Sequence, residues 1–308
     1  MSMTELKQRL SDILPAFSIR EEESLSKHTS FRIGGPAELM VFPNTVEQLK
    51  QIFLAAKACG IRPRILGSGS NVLAPDEGVR GLVICTRECL MGLELVNSTQ
   101  VSAMSGMTMA QTAMFAARNG LSGMEFAHGN PGSVGGGVKM NAGAYGGELK
   151  DCVIWTEFMD SDGNIIRFEG AEQGFGYRTS NFQGREGIIL RSCFALTASD
   201  EATVRSKIKE LNDRRRASQP LELPSAGSTF KRPKTGYAAA LIQEAGLKGL
   251  RVGGAAVSEK HAGFVVNLGG ATAKDVLALI ALVQEKVLAH SGIALEPEVR
   301  LWGTDHEA

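Results

Sequence analysis

The sequence predicts an α+β fold, on three observations. Short strand-like runs and capped helices are mixed without the regular βαβ spacing of a doubly wound sheet. Two glycine-rich stretches, Leu66-Gly-Ser-Gly-Ser-Asn71 and Gly129–Gly147, lie between apolar runs. A highly charged stretch over 201–216 is followed by Gln219-Pro220, which reads as a change of domain. The 308 residues suit roughly two domains of ~100–200 residues each.

The elements follow from local signals. Residues 1–28 read as an N-terminal helical segment, because Met1 to Leu14 mixes polar and apolar residues amphipathically. Ala37–Phe42 is a strand-like run. Thr45-Val-Glu-Gln48 has the spacing of a capping box, and Leu49, Ile52, Phe53 and Ala56 then recur at helical period. Arg64–Leu66 and Leu82–Cys85 read as strands. Thr108-Met-Ala-Gln111 opens a second helix, which Gly120 closes in a C′ position. Val153–Met159 and Ile165–Phe168 form a hairpin around Asp160-Ser-Asp-Gly163, and Gly187–Leu196 and Phe264–Asn267 are further strands. Glu201 to Arg216 is a charged helix, and Thr272 opens a longer one with Val276, Ile280, Val283 and Val287 on one stripe. There is no internal repeat.

Composition narrows the class. Lys+Arg and Asp+Glu are both 33 and the pI is near 7.0, which argues against a broad nucleic-acid face. The five cysteines are odd in number, scattered and without a CxxC pair, so reduced thiols, a cytoplasmic location and no metal site are expected. No apolar run approaches the ~18 residues of a membrane span, and the chain is expected to be a monomer.

The common nucleotide and hydrolase motifs are absent: no GxxxxGK[ST], no GxGxxG after a strand, no HExxH, no GxSxG. Gly129–Gly147 instead holds eight glycines in nineteen positions, interleaved with Val134, Val138, Met140 and Tyr145. Such backbone exposes N–H donors and forms anion-binding nests. Ser68, Ser70 and Asn71 add side-chain donors to the first loop. Two such loops in one domain fit a dinucleotide pyrophosphate held from both sides; the plainer alternative is a pair of structural turns. Gly176-Tyr-Arg-Thr-Ser180 sets a permanent cation beside hydroxyls, Pro224–Lys231 is a tight small-residue turn, and Leu295–Leu301 carries two carboxylates and an Arg. Alone, the first reads equally as a surface Arg, the second more often as only a turn, and the third better as a solvated charged strand.

In order, Thr29-Ser-Phe-Arg-Ile-Gly-Gly-Pro-Ala37, Leu66–Asn71, Pro131–Gly136 with Met140–Ala144, Tyr177–Ser180, Ala226–Lys231, Ser258–Ala262 and Pro297–Arg300 resemble the UDP-N-acetylenolpyruvoylglucosamine reductase family. These are flavoenzymes of bacterial peptidoglycan precursor synthesis. The resemblance runs from about Thr29 to Gly303. It implies a two-lobed FAD-binding domain of the vanillyl-alcohol-oxidase/PCMH type over 29–200, with lobes about 29–86 and 87–200. A C-terminal α+β substrate-binding domain would cover 201–308. Non-covalent FAD would lie against Arg64, Leu66, Gly67, Ser68, Gly69, Ser70 and Asn71, and against Asn130, Pro131, Gly132, Ser133, Gly135, Gly136, Asn141, Ala142 and Gly143. NADPH would be the hydride donor and UDP-N-acetylglucosamine enolpyruvate the acceptor. By motif match Ser228 would donate the proton, Arg178 and Glu298 would sit at the enolpyruvyl group, and Tyr177, Lys231 and Arg216 would bind substrate. Arg232 stands where some members carry a substrate-contacting Asn, and the inserted segment with a substrate-covering Tyr has no counterpart, so the chain resembles the shorter class. Two rivals are an oxidase on the same scaffold with flavin attached through His128, and a non-catalytic nucleotide-binding module.

Overall fold

The computed structural model describes residues 3–87 and 89–303. The first sheet has four strands in the order Ile19–Ser24, Pro36–Val41, Val79–Cys85, Arg64–Leu66. Its outer pair is antiparallel, with Ile19 opposite Val41, and the remaining pairs are parallel. Helices α1 (Met3–Ile13) and α2 (Val46–Ala58) cover one face. There Leu6, Leu10, Leu49, Ile52 and Phe53 bury against Leu39, Val41, Leu82 and Ile84. Thr45 caps α2 by accepting from Gln48 N–H at 3.1 Å, but the Gln48 side chain reaches Asn44 N–H instead of closing the box on Thr45.

Residues 1–28 are not helical throughout. Ile19–Ser24 is an edge strand of sequence IREEES. Its acidic side chains suit an exposed edge, and the long-range pairing to Pro36–Val41 overrides its weak strand propensity.

The second sheet is fully antiparallel, in the order Ile165–Glu169, Val153–Asp160, Gly187–Ala195, Gln100–Met104, Leu93–Asn97. The turn at 160–163 closes as expected, with Gly163 at φ 79°. The hairpin Leu93–Met104 has no clear alternation on Leu93–Asn97, whose last four residues are exposed, which is why its pattern is weak. Helix α3 (Met109–Arg118) starts on the full Thr108/Gln111 capping box, and Gly120 follows it at φ 65°. The short α4 (Val134–Lys139) grows out of the second glycine stretch with Ser133 as its cap. Met159, Ile188 and Leu190 of this sheet join the α1–α2 cluster and bind the two lobes into one core.

The charged α5 (Glu201–Ser218) leads to a C-terminal unit with α6 (Ala238–Glu244), a three-stranded sheet Arg251–Val252, Ala255–Val257, Val265–Asn267, and α7 (Ala273–Ser291). The stripe expected on α7 is its buried face. Phe31, Ile33 and Leu73 pack into this same C-terminal core, so it is interleaved with the preceding lobe. Arg300–Leu301 returns to pair in parallel with Val72–Leu73.

Candidate active site

A cavity of about 2490 Å³ runs between the lobes and the C-terminal unit. Single-ligand pockets are typically about 300–1,000 Å³, so this one has room for a dinucleotide and a second ligand together.

The loop Gly67–Asn71 leaves the C-terminal end of strand Arg64–Leu66 and enters the cavity wall. Among the described residues, the N–H groups of Ser68, Gly69, Ser70 and Asn71 donate to no protein acceptor. Their neighbours are tied down from behind: Ser30 N–H donates to Gly69 O at 3.1 Å, and the Ser30 hydroxyl donates to Ser225 O at 2.6 Å. Gly69 is left-handed at φ 61°, and a Cβ there would run into the His28 carbonyl. A Cβ on Gly67 would run into the Ser133 hydroxyl of the opposite loop. The two glycine loops therefore meet at the cavity wall, which among the described residues also carries four N–H groups without a protein acceptor. That donor set fits the diphosphate of FAD.

At the other end, Arg178 donates from Nε to Glu298 Oε1 at 2.6 Å and from Nη2 to Gly143 O at 3.2 Å. The side chains are 20% and 14% exposed. Burial pushes the Glu298 carboxyl above its ordinary range and outweighs the pull of Arg178, Lys231 and Arg300. Glu298 N–H donates to Thr229 O at 2.8 Å, and Asn71 Nδ2 donates to Glu298 O at 3.2 Å. Ser228, the residue before Thr229, lines the cavity, and its hydroxyl has no protein partner among the described residues. Backbone pairing of Glu298 with Thr229 and of Arg300 with Asn71, together with the Arg178–Glu298 ion pair, thus brings residues 71, 178, 228 and 298 into one corner.

The backbone here is strained. Among the described residues six non-glycines have positive φ, and Arg32, Tyr145 and Arg178 of these line the cavity. Each such residue costs on the order of 1–3 kcal/mol.

Arg64, Leu66–Asn71, Asn130–Ser133, Gly136, Ala142 and Gly143 line the cavity, as do Arg178, Ser228 and Glu298. Five expected contacts fall elsewhere. Gly135 packs inward, where a Cβ would lie 2.9 Å from Ser105 Cβ. Asn141 is fully buried behind the wall, holding Glu148, Gly176 O and Lys150 N–H. Arg216 is 74% exposed on the outer face of α5; its neighbour Arg215 is the one that lines the cavity. Lys231 pairs with Glu296, and Tyr177 accepts from Arg232 N–H at 3.0 Å; neither is in the lining. Lys139 and Arg300 line the cavity without an expected role. A lone cation in a glycine-rich run gives no local signal.

His128 is held by Asn212 at 2.9 Å away from the cavity, and among the described residues no histidine or cysteine lines it. No group of described residues could hold a metal ion, and no described helix is long and apolar enough to cross a membrane.

A model of an FAD binding domain matches residues 37–169, and a model of the UDP-N-acetylenolpyruvoylglucosamine reductase C-terminal domain matches residues 219–302. The UDP-N-acetylenolpyruvoylglucosamine reductase of Pediococcus pentosaceus is 44% identical over 97% of this chain and 99% of its own length. That of Syntrophomonas wolfei is 44% identical over 96% and 98%. The crystal structure of the Thermus caldophilus reductase superposes with a TM-score of 0.80 at 38% identity, covering 92% of this chain and 99% of that one. An alkyldihydroxyacetonephosphate synthase, at 15% identity and TM-score 0.50 over 64% of this chain, shares the fold alone.

Proposed function

This chain belongs to the UDP-N-acetylenolpyruvoylglucosamine reductase family, and we propose from that premise that it reduces UDP-N-acetylglucosamine enolpyruvate to UDP-N-acetylmuramate. NADPH is the proposed electron source, and cytoplasmic peptidoglycan precursor synthesis the proposed setting. The observation that carries the reading is the corner in which the Arg178–Glu298 pair shares a cavity wall with the unpartnered Ser228 hydroxyl.

Bound FAD supplies reversible hydride storage between NADPH and the enolpyruvyl carbon. The protein's own groups supply the rest. Hydride addition to an enolpyruvyl ether builds negative charge on the substrate, and a fixed guanidinium meets both that charge and the carboxylate. Arg178 is fixed by Glu298 and by Gly143 O, which use Nε and Nη2 and leave Nη1 for substrate. The Ser228 hydroxyl is open to the cavity and is assigned the proton for carbon. An aliphatic hydroxyl gives up a proton only to a strongly basic carbon, which the substrate becomes after hydride addition.

The test separates the half-reactions by stopped-flow absorbance. Ser228→Ala is expected to keep flavin reduction by NADPH near the wild-type rate. Reoxidation by the enolpyruvyl substrate is expected to fall by roughly 10²–10⁴-fold, the usual worth of a positioned acid. Reoxidation at the wild-type rate would remove Ser228 as the donor. Wild-type enzyme whose reduced flavin is not reoxidised by this substrate would remove the reading itself.

A further inference from the structure

Gln183 lies outside the motifs that point to the site, yet it lines the cavity and touches both segments that carry the Arg178–Glu298 pair. Its Nε2 donates to Arg178 O at 3.0 Å and to Lys139 O at 3.1 Å, and its Oε1 accepts from Arg300 Nη2. Arg178 sits in the turn closed by Gly176 and Thr179, Lys139 ends α4, and Arg300 is two residues beyond Glu298. A glutamine carboxamide has two N–H donors and a carbonyl acceptor. Here two carbonyls take the donors, with the weakly accepting Met140 sulfur 3.5 Å from the same nitrogen, and a guanidinium takes the acceptor. Turned over, the amide would set its oxygen against two carbonyls and its N–H groups against a cation. The contacts therefore demand a carboxamide in one orientation.

The turn it holds is under strain, with Arg178 at φ 55°. Gly176 N–H donates to Thr179 O at 3.0 Å and Thr179 N–H to Gly176 O at 3.3 Å, so these bonds leave the Arg178 carbonyl unheld. Gly176 O also accepts from the buried Asn141 at 2.8 Å. Among the described residues, Gln183 Nε2 is the one donor to Arg178 O. The guanidinium is fixed separately, by Glu298 Oε1 and Gly143 O. Arg178 is thus tied twice to the 298–300 segment, by its side chain to Glu298 and by its carbonyl through Gln183 to Arg300. A glutamine that served only to close the local turn would need no link to that segment.

We infer that Gln183 is a positioning residue for Arg178: it holds the main chain of the strained turn so that the guanidinium meets the substrate in register with Glu298. Gln183 acts through the arginine's carbonyl and has no part in the proton or hydride steps. The inference rests on the proposed function for the reaction that reads it.

The experiment measures reoxidation of the reduced flavin by the enolpyruvyl substrate, normalised to bound flavin, in a double-mutant cycle of Gln183→Met and Arg178→Ala. Gln183→Met keeps the length of the side chain and removes its donors. It is expected to slow reoxidation by roughly 10–100-fold, the scale of a ~1 Å misplacement. In the Arg178→Ala background the same change is expected to cost less than about twofold, because the group it positions is gone. Gln183→Glu sets a carboxylate against two carbonyls at neutral pH, and protonation returns one donor. Its rate relative to wild type is expected to rise as pH falls through the carboxyl's titration, while the ratio for Gln183→Met stays level. Hydrogen exchange of the 176–183 segment, without turnover, is expected to be faster in Gln183→Met. Wild-type reoxidation by Gln183→Met, an equal loss with and without Arg178, or a level pH ratio for Gln183→Glu overturns the inference. If the wild type is not reoxidised by this substrate, the proposed function falls; faster exchange in Gln183→Met then still supports the positioning role, and unchanged exchange overturns it too.

Discussion

Arg178 holds φ at 55°, a conformation an arginine adopts only when its surroundings compel it. What compels it is Asn141, whose buried amide donates to Gly176 O at 2.8 Å, and Glu298, which takes the guanidinium. The same residue scale governs Glu298. Its carboxyl titrates above the ordinary range in the folded protein, so the folded state binds its proton more tightly than the unfolded state does. Stability from this group therefore falls as pH rises from the ordinary carboxylate pKa through the raised one, and is level above. Glu298→Gln cannot ionise, so its melting temperature relative to wild type is expected to improve as pH rises across that window. A pH-independent difference would refute the assignment. At Gly67 the constraint is steric. Gly67→Ala is expected to weaken FAD by roughly 5–150-fold, since an overpacked contact costs about 1–3 kcal/mol. Adding Ser133→Ala removes the hydroxyl that the new Cβ would meet and is expected to recover part of the affinity, measured by FAD titration of apoprotein.

Among the elements, α7 shows how local and distant signals combine. Thr272 and Asp275 form its capping box, as the sequence announces for Thr272. The first turn has a second cap from far away: Asp76 accepts from Ala273 N–H at 2.7 Å and from Lys274 N–H at 3.1 Å. Asp76 belongs to the flavin-binding half, so this cap is also a clamp between the two halves of the molecule. Asp76→Ala is expected to cost about 0.5–2 kcal/mol, as for other lost helix caps, and to speed proteolysis around α7. A melting curve and a protease time course would measure both. Helix α4 is the converse case. Its sequence, Val134-Gly-Gly-Gly-Val-Lys139, has almost no helix propensity. It forms because Val134 and Val138 are fully buried and because Val134 and Gly135 N–H donate to Met107 O and Ser105 O.

Across the whole molecule, the five cysteines are all buried and none is in a disulfide. Burial pushes the Cys152 thiol up to about 12, so it carries no thiolate at neutral pH. Native protein is accordingly expected to resist iodoacetamide at Cys152 until it is denatured, as mass spectrometry would read. The long helices, the 160–163 turn and the ordered glycine motifs were legible in the sequence because each rests on contacts within a few residues. Periodicity placed the faces of α2 and α7, and the motif order placed the family. The edge strand Ile19–Ser24, the inward packing of Gly135 and Asn141, and the turning of Arg216 away from the cavity were not legible. All but Arg216 depend on a partner far along the chain: Val41 for Ile19, Ser105 for Gly135, Gly176 for Asn141. By itself the sequence determined which residue types and which glycine-rich backbone are present. Only the tertiary structure decided that residues 71, 178, 228 and 298 share one corner. Local propensity acts over a few residues, whereas a site is set by backbone pairing and charge across the fold.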